Sequence, residues 1–247
     1  MTSSGGPVDF DAYAREHPYF DVALPPIPGL EDALRACHGS ILEVGAGDGT
    51  RMRALLDTAA MAGFTEITLT DISAVRVARA AALIPAAKAT VADGAQLPFA
   101  DASFDFVFSD QVIEHVLDDR AMAREAYLVP RPGGRTVIGS VLKRKWAWYF
   151  YRNGGRWVLD PTHLREYTST SSYAAIFADA GFCDVLVAVA ALKFPLGDAA
   201  LRLLIRLGLV TAEKSYGTYR NSRLLRWLAR SQLRIPGYYG CWAFGRK

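Results

Sequence analysis

From residue 41 onward, short and almost wholly apolar runs alternate with segments whose apolar residues recur every third and fourth position. The runs at 41–45, 66–70, 87–92, 104–109 and 135–141 are too short for buried helices and predict strands. The intervening pattern predicts helices. Met52, Leu55, Leu56 and Ala59 share one face over 50–62, Ser73 is placed to cap a helix that reaches Leu83, and 112–128 stops before Pro130 and Pro132. A helix over 169–180 ends at Gly181, a sixth strand follows over 183–190, two amphipathic helices lie at 198–210 and 221–232, and a last strand lies at 237–245. Before residue 41 come a polar start, aromatic residues (Phe10, Tyr13, Tyr19, Phe20), a proline-rich turn and a short helix over 30–37. Strands that alternate with helices build a parallel sheet with helices on both faces. The organisation expected is a cap segment at 1–40, a core at 41–190 with an insertion at 143–168, a basic helical insertion at 191–236, and a final core strand at 237–247.

Charge changes this picture at one end. The chain of 247 residues is 51% apolar and 21% charged, which excludes bulk disorder, and its net charge is only +3. Residues 193–247 hold eleven basic residues against two acidic ones, so the remainder is acidic. A basic tail on an acidic body points to an anionic partner, either a lipid surface or a phosphate-bearing acceptor, although a solvated basic face is the plainer reading. Nucleic acid is the weaker partner, since no zinc or RNA-binding motif accompanies the charge. No apolar run reaches the length of a membrane span, and residues 1–7 lack the basic and apolar regions of a secretory leader. Three widely spaced cysteines, Cys37, Cys183 and Cys241, suit a reducing cytoplasm. The expected location is therefore cytoplasmic, with membrane association through the tail.

The most informative segment is Leu42-Glu43-Val44-Gly45-Ala46-Gly47-Asp48-Gly49-Thr50. A strand enters a glycine-rich turn and leaves as a helix, and glycine lets a ligand approach the backbone. The dinucleotide fingerprint wants G-x-G-x-x-G, whereas here the glycines fall as G-x-G-x-G. Glu43 and Asp48 would repel a pyrophosphate at the helix start and attract a cation. The segment resembles the first motif of the class I S-adenosylmethionine-dependent methyltransferases, type 11 group. Three further stretches match in order: Asp71 in Leu69-Thr70-Asp71-Ile72-Ser73, Asp93 in Val91-Ala92-Asp93-Gly94-Ala95, and the run from Leu97 to Val107. The resemblance covers about residues 41–190. It implies a Rossmann-like, seven-stranded, mostly parallel sheet with a helical cap and insertions, and S-adenosylmethionine as cofactor. It also implies cofactor contacts from Glu43, Gly45, Ala46, Gly47, Asp71, Ile72, Asp93, Gly94 and Ser109. In the family the acid at the Asp71 position binds the ribose hydroxyls, and that at Asp93 the adenine amino group.

Methyl transfer needs an aligned acceptor and, for a hydroxyl, a base. His115, just after strand four, and His163, in Asp160-Pro161-Thr162-His163-Leu164-Arg165-Glu166-Tyr167, are the catalytic candidates, with His163 preferred. His17 and His38 sit in poorly patterned segments. Metal-dependent relatives carry Glu-x-x-Glu-His where this chain has Gln111 through His115, so no metal is expected, although Asp110 keeps that reading open. Gln111, Trp146, Tyr149, Arg165 and Tyr167 are the acceptor-binding candidates, and the aromatic stretch 143–152 reads as a helix that also walls the pocket. The expected activity is O-methylation of a sugar, glycan precursor or secondary metabolite. The alternatives are an N- or C-methyltransferase, disfavoured by the lack of an [ND]-P-P-[YF] motif after strand four, or a non-catalytic cofactor-binding partner.

Overall fold

The computed structural model describes residues 8–16, 24–149, 151–153, 155–210, 218 and 221–247, and the following statements concern those residues. Seven strands form one sheet in the order β3-β2-β1-β4-β5-β9-β8. They are β1 (Gly39–Val44), β2 (Phe64–Asp71), β3 (Lys88–Val91), β4 (Phe104–Asp110), β5 (Pro130–Lys143), β8 (Cys183–Pro195) and β9 (Gln232–Arg246). Strands β1 to β5 are mutually parallel, and β9 runs antiparallel between β5 and β8. This is the Rossmann-like, seven-stranded, mostly parallel architecture that the resemblance implies. The chain winds outward from β1 to β3, then returns to lay β4 on the other side of β1. The carboxyl ends of β1 and β4 therefore part at a topological switch point, where an open α/β sheet binds its ligand.

Period-two alternation sends side chains to opposite faces, and each face has its own core. Leu42, Val44, Val107 and Ile138 pack with Tyr173 and Phe177 under α5 (Asp119–Leu128) and α6 (Thr170–Ala180). Ile41, Phe106, Phe108 and Leu69 pack with Leu34 and Met52 under α2 (Leu30–Arg35), α3 (Thr50–Leu56) and α4 (Ala74–Leu83). The predicted caps form: Ser73 Oγ accepts from Arg76 N, Ser169 Oγ accepts from Ser171 N, and Gly181 closes α6 at φ 112°. There Tyr127 packs where a Cβ would stand.

Several elements differ from the sequence pattern. The helix at 50–62 ends at Leu56 and resumes as a single 3-10 turn, Ala59–Met61, because Thr58 is extended and its hydroxyl takes the Leu55 carbonyl. The helix at 112–128 begins only at Asp119, capped by Asp118. Residues 111–118 are turns. Gln111 sits at φ 60°, and the Glu114 carbonyl accepts from Leu164 N instead of closing a helical turn. The prolines at 130 and 132 do not delay β5, which starts at Pro130. The aromatic insertion is not a helix but a turn followed by the hairpin β6 (Tyr151–Asn153) and β7 (Arg156–Val158). Finally, β8 and β9 run past the point where β5 stops pairing and carry α7 (Leu196–Arg206) and α8 (Arg223–Arg230) at their far end. Since β8 is parallel to β5, this arm leaves the sheet at the same carboxyl edge as the switch point.

Candidate active site

Buried polar atoms without partners mark the site. Glu43 Oε2, Ser109 Oγ, Gln111 Nε2 and Glu114 Oε1 are buried with no hydrogen-bond partner among the described residues. All four lie in or just beyond β1 and β4, where Val44 and Ser109 pair. Such a group left unmet costs about 1–3 kcal/mol. Their gathering at a switch point implies polar ligands.

The glycine loop supplies the opening. Gly45, Gly47 and Gly49 have φ of 71°, 57° and 81°, a region that side chains resist. At Gly45 an added Cβ would come within 2.2 Å of Val112 Cγ2, so the turn can close against the β4 loop only with glycine. Asp71 fixes the turn from β2: Oδ2 accepts from Gly47 N and Oδ1 from Ser73 N, each at 2.9 Å. Each oxygen keeps a lone pair for a ribose hydroxyl. Burial pushes the Glu43 carboxyl up to about 8, despite the nearby Arg51 guanidinium. Burial also raises Asp71, against the pull of its backbone hydrogen bonds. Carboxyls raised by desolvation, beside a loop that excludes side chains, suit a cation far better than a pyrophosphate. At the rim, Ile72 is about half exposed beside Asp71, Asp93 is exposed with Oδ1 accepting from Ala95 N, and Gly94 lies against Val44. These residues fit the sulfonium and ammonium, ribose and adenine of S-adenosylmethionine.

On the acceptor side the two candidate histidines meet. The rings of His115 and His163 lie edge to face, 4.8 Å apart. His163 Nδ1 is 3.1 Å from Glu166 Oε1, and its Nε2 is 3.9 Å from the unmet Glu114 Oε1. The other Glu114 oxygen accepts from Ser140 Oγ at 2.8 Å. Glu166 is itself anchored by Lys143 Nζ at 3.0 Å and by Leu159 N at 2.6 Å. Burial opposes charge on His163, but the Glu166 hydrogen bond and the Glu114 and Asp160 carboxylates outweigh it and raise its pKa. Burial lifts Glu114 to about 7, although the facing His163 pulls it down. His115 differs: burial, aided by His163, pushes it down to about 4. Thr162 Oγ1 donates to Asp160, so His115 Nδ1, 3.0 Å away, is the donor in their contact. Ligating atoms of Glu114, His115 and His163 lie within 4.8 Å of one another, so the structure brings together three groups of the kind that can hold a metal ion, although Gln111 adds no carboxylate to them. Asp110 has turned away, to Arg51 at 3.1 Å and Trp242 Nε1 at 2.9 Å.

A short N-terminal helix, α1 (Phe10–Glu16), closes this side. Asp11 accepts from Ser73 Oγ at 2.6 Å, Tyr13 OH donates to Asp160 Oδ2 at 2.8 Å, and the Phe10 ring meets that of His115. The helix thus ties the ribose end of the cleft to the His163 loop. Sequence reading missed this, because the signal for α1 is only a few aromatics in a polar segment. It also missed Glu166 and Lys143, which become informative only once the fold sets them against His163.

Other candidates are placed elsewhere. Tyr167 is buried against Tyr173 and donates to Asp119 Oδ2, and Arg165 donates to the Ile113 and Leu117 carbonyls. Both hold the 111–118 loop rather than face an acceptor, because their polar groups are already spent. Trp146 is two-thirds exposed at the turn after β5, while Tyr149 packs against Tyr238. His38 is exposed before β1, at the opposite edge, and His17 lies outside the described residues.

Comparison with known proteins agrees with this fold. Residues 42–138 match the methyltransferase-domain family, type 11. A probable S-adenosylmethionine-dependent methyltransferase of Mycobacterium tuberculosis is 28% identical over 153 residues, 62% of this chain and 52% of the relative. An O-methyltransferase of Penicillium expansum is 36% identical over 110 residues, 41% of this chain and 38% of its own. The chain thus spans about half the length, or less, of these curated relatives. Among solved structures, phosphoethanolamine N-methyltransferase 2 of Haemonchus contortus, in complex with S-adenosyl-L-methionine, superposes with a TM-score of 0.62 at 17% identity, over 98% of this chain and 60% of that one. The YcgJ protein of Bacillus subtilis gives 0.57 at 19% identity, over 85% and 92%.

Proposed function

We propose, from the premise that residues 42–138 are a class I methyltransferase domain of the type 11 family, that the chain transfers a methyl group from S-adenosylmethionine to a hydroxyl of a small acceptor such as a sugar, glycan precursor or secondary metabolite. The observation that carries the reading is the set of unmet buried polar atoms at the β1–β4 switch point, continuous with the His163–Glu114 couple.

When bound, the cofactor supplies an activated methyl on a positively charged sulfur. Glu43 would lie beside that charge, Asp71 would hold the ribose, and Asp93 and Ile72 would hold the adenine. Ser109 and Gln111 offer a hydroxyl and an amide between cofactor and acceptor. The acceptor oxygen forms the new C–O bond as the C–S bond breaks, the electron pair stays on sulfur, and S-adenosylhomocysteine leaves. The hydroxyl proton passes to the couple of His163 Nε2 and Glu114 Oε1. Glu166, itself held by Lys143, turns Nε2 toward the cleft by accepting from Nδ1–H. Transfer to oxygen is supported by the need for such a base and by the likeness to an O-methyltransferase.

The test is incubation with methyl-labelled cofactor and a panel of phosphorylated and lipid-linked sugars, followed by NMR of the product. Label on oxygen is expected. Label on nitrogen or carbon overturns the choice of atom, cofactor binding without transfer to any acceptor favours a binding partner, and absence of binding in calorimetry overturns the whole reading.

A further inference from the structure

The β8–β9 arm leaves an apolar surface that the methyl-transfer reading does not use. Its helices α7 and α8 pack on each other through Leu201 and Leu225, supported by Ala200, Ile205 and Val210. That seam consumes one face of each. On another face, Leu203 and Leu207 stand one turn apart, as do Leu224 and Trp227, each more than half exposed. Leu209, which follows α7, and Leu233, at the start of β9, are also more than half exposed. Monomeric proteins rarely leave several large apolar side chains uncovered together.

Two placements identify what covers them. The first is charge. Residues 193–236 hold nine basic residues against two acidic, and residues 143–156, the turn and hairpin at the base of the arm, hold five basic and none acidic. The rest of the chain is then strongly acidic. Lys193, Arg223 and Arg234 on the arm and Arg144 and Lys145 at its base are exposed. The second is position. The arm leaves the carboxyl edge of the sheet. At its base Ala147 and Tyr149 pack with Ile235 and Tyr238, which sets the exposed Trp146 and Trp148 on that edge. Exposed leucine and tryptophan among arginines and lysines match an anionic bilayer, where apolar tips enter the headgroup boundary and cations meet the negative surface. A phosphate backbone would use the cations but not eight exposed leucine and tryptophan side chains.

We infer that the α7–α8 arm, with the turn at Trp146 and Trp148, docks the protein on an anionic membrane surface. The mouth of the candidate site then opens toward the bilayer. The docking itself is independent of methyl transfer.

The experiment is flotation of the whole chain with phosphatidylcholine vesicles, with and without phosphatidylglycerol, at low and physiological salt. We expect flotation with the anionic vesicles, little with the neutral ones, and weakening as salt rises. Arg223→Glu with Arg234→Glu should lower partitioning roughly tenfold or more, and Leu224→Ser with Trp227→Ser should do the same at unchanged net charge. Arg124→Glu on α5, an exposed position away from the arm, is the control and should float like the parent chain. Calorimetry with S-adenosylmethionine on the arm variants should be unchanged, so failure of docking and failure of the cofactor reading are told apart. Absence of flotation, equal flotation on neutral vesicles, or equal loss in Arg124→Glu would overturn the proposal. So would arm-dependent capture of single-stranded RNA without vesicle binding, or an arm-dependent dimer in sedimentation that does not float.

Discussion

The raised Glu43 carboxyl makes cofactor binding a proton-linked event. With its pKa near 8 in the ligand-free protein, about nine-tenths of the groups hold a proton at pH 7. A cation in the cleft favours the ionised form and draws the pKa toward the ordinary carboxylate value of about 4.3. Between these limits, binding must expel one proton, so the dissociation constant should fall about tenfold per pH unit, roughly 1.4 kcal/mol each. From pH 5.5 to 7.0 that is about thirtyfold, in a window where most of the cofactor's amino groups keep their proton, their ordinary pKa being about 7.7. Calorimetry in buffers of different ionisation enthalpy measures both the affinity and the proton count, which should approach one released per cofactor near pH 6.5. Glu43→Gln should bind more weakly at pH 7.5 and lose the slope. The same group sets a stability trend of definite sign. The native state holds this proton after the unfolded chain has lost it, so stability contributed here falls as pH rises from about 4.5 to 8, and Glu43→Gln should flatten the fall. An affinity independent of pH in the parent protein, or a slope that survives in Glu43→Gln, would refute the electrostatic account of the cleft.

Three other outcomes follow from the geometry. Asp71→Ala removes the acceptor for two backbone amides and for the ribose, and calorimetry should show cofactor affinity weaker by about 1–3 kcal/mol. His163→Ala should lower turnover about 10²–10⁴-fold with cofactor affinity unchanged, whereas Glu166→Gln, which removes the group that raises His163, should shift the pH–rate profile toward acid. Tyr173→Phe deletes a buried hydrogen bond to the Ile138 carbonyl, and denaturant unfolding should show a loss of about 1 kcal/mol with no effect on cofactor binding.

The strand–helix alternation and the cofactor loop were legible in the sequence because each is local. A buried parallel strand is an uninterrupted apolar run, and a glycine turn after it can be read without knowing its neighbours. What could not be read depends on pairing across distance. The segment 111–118 has helical periodicity, yet its carbonyls are taken by the His163 loop, some fifty residues later, and the helix waits for Asp118. Tyr167 and Arg165 look like acceptor contacts in sequence because they flank His163, but Asp119 and the carbonyls at 113 and 117 claim them first. The reverse holds for Glu114. As half of a Glu-His pair it reads as a remnant of a metal motif, and only the return of residue 163 sets an imidazole 3.9 Å from its unmet oxygen. This asymmetry has a physical cause. Cofactor recognition sits on strand ends whose order the sheet enforces, so a motif predicts its own geometry. Acceptor chemistry sits on loops whose polar groups compete for one another, and which of them stays unmet is decided only when the last hydrogen bond is assigned.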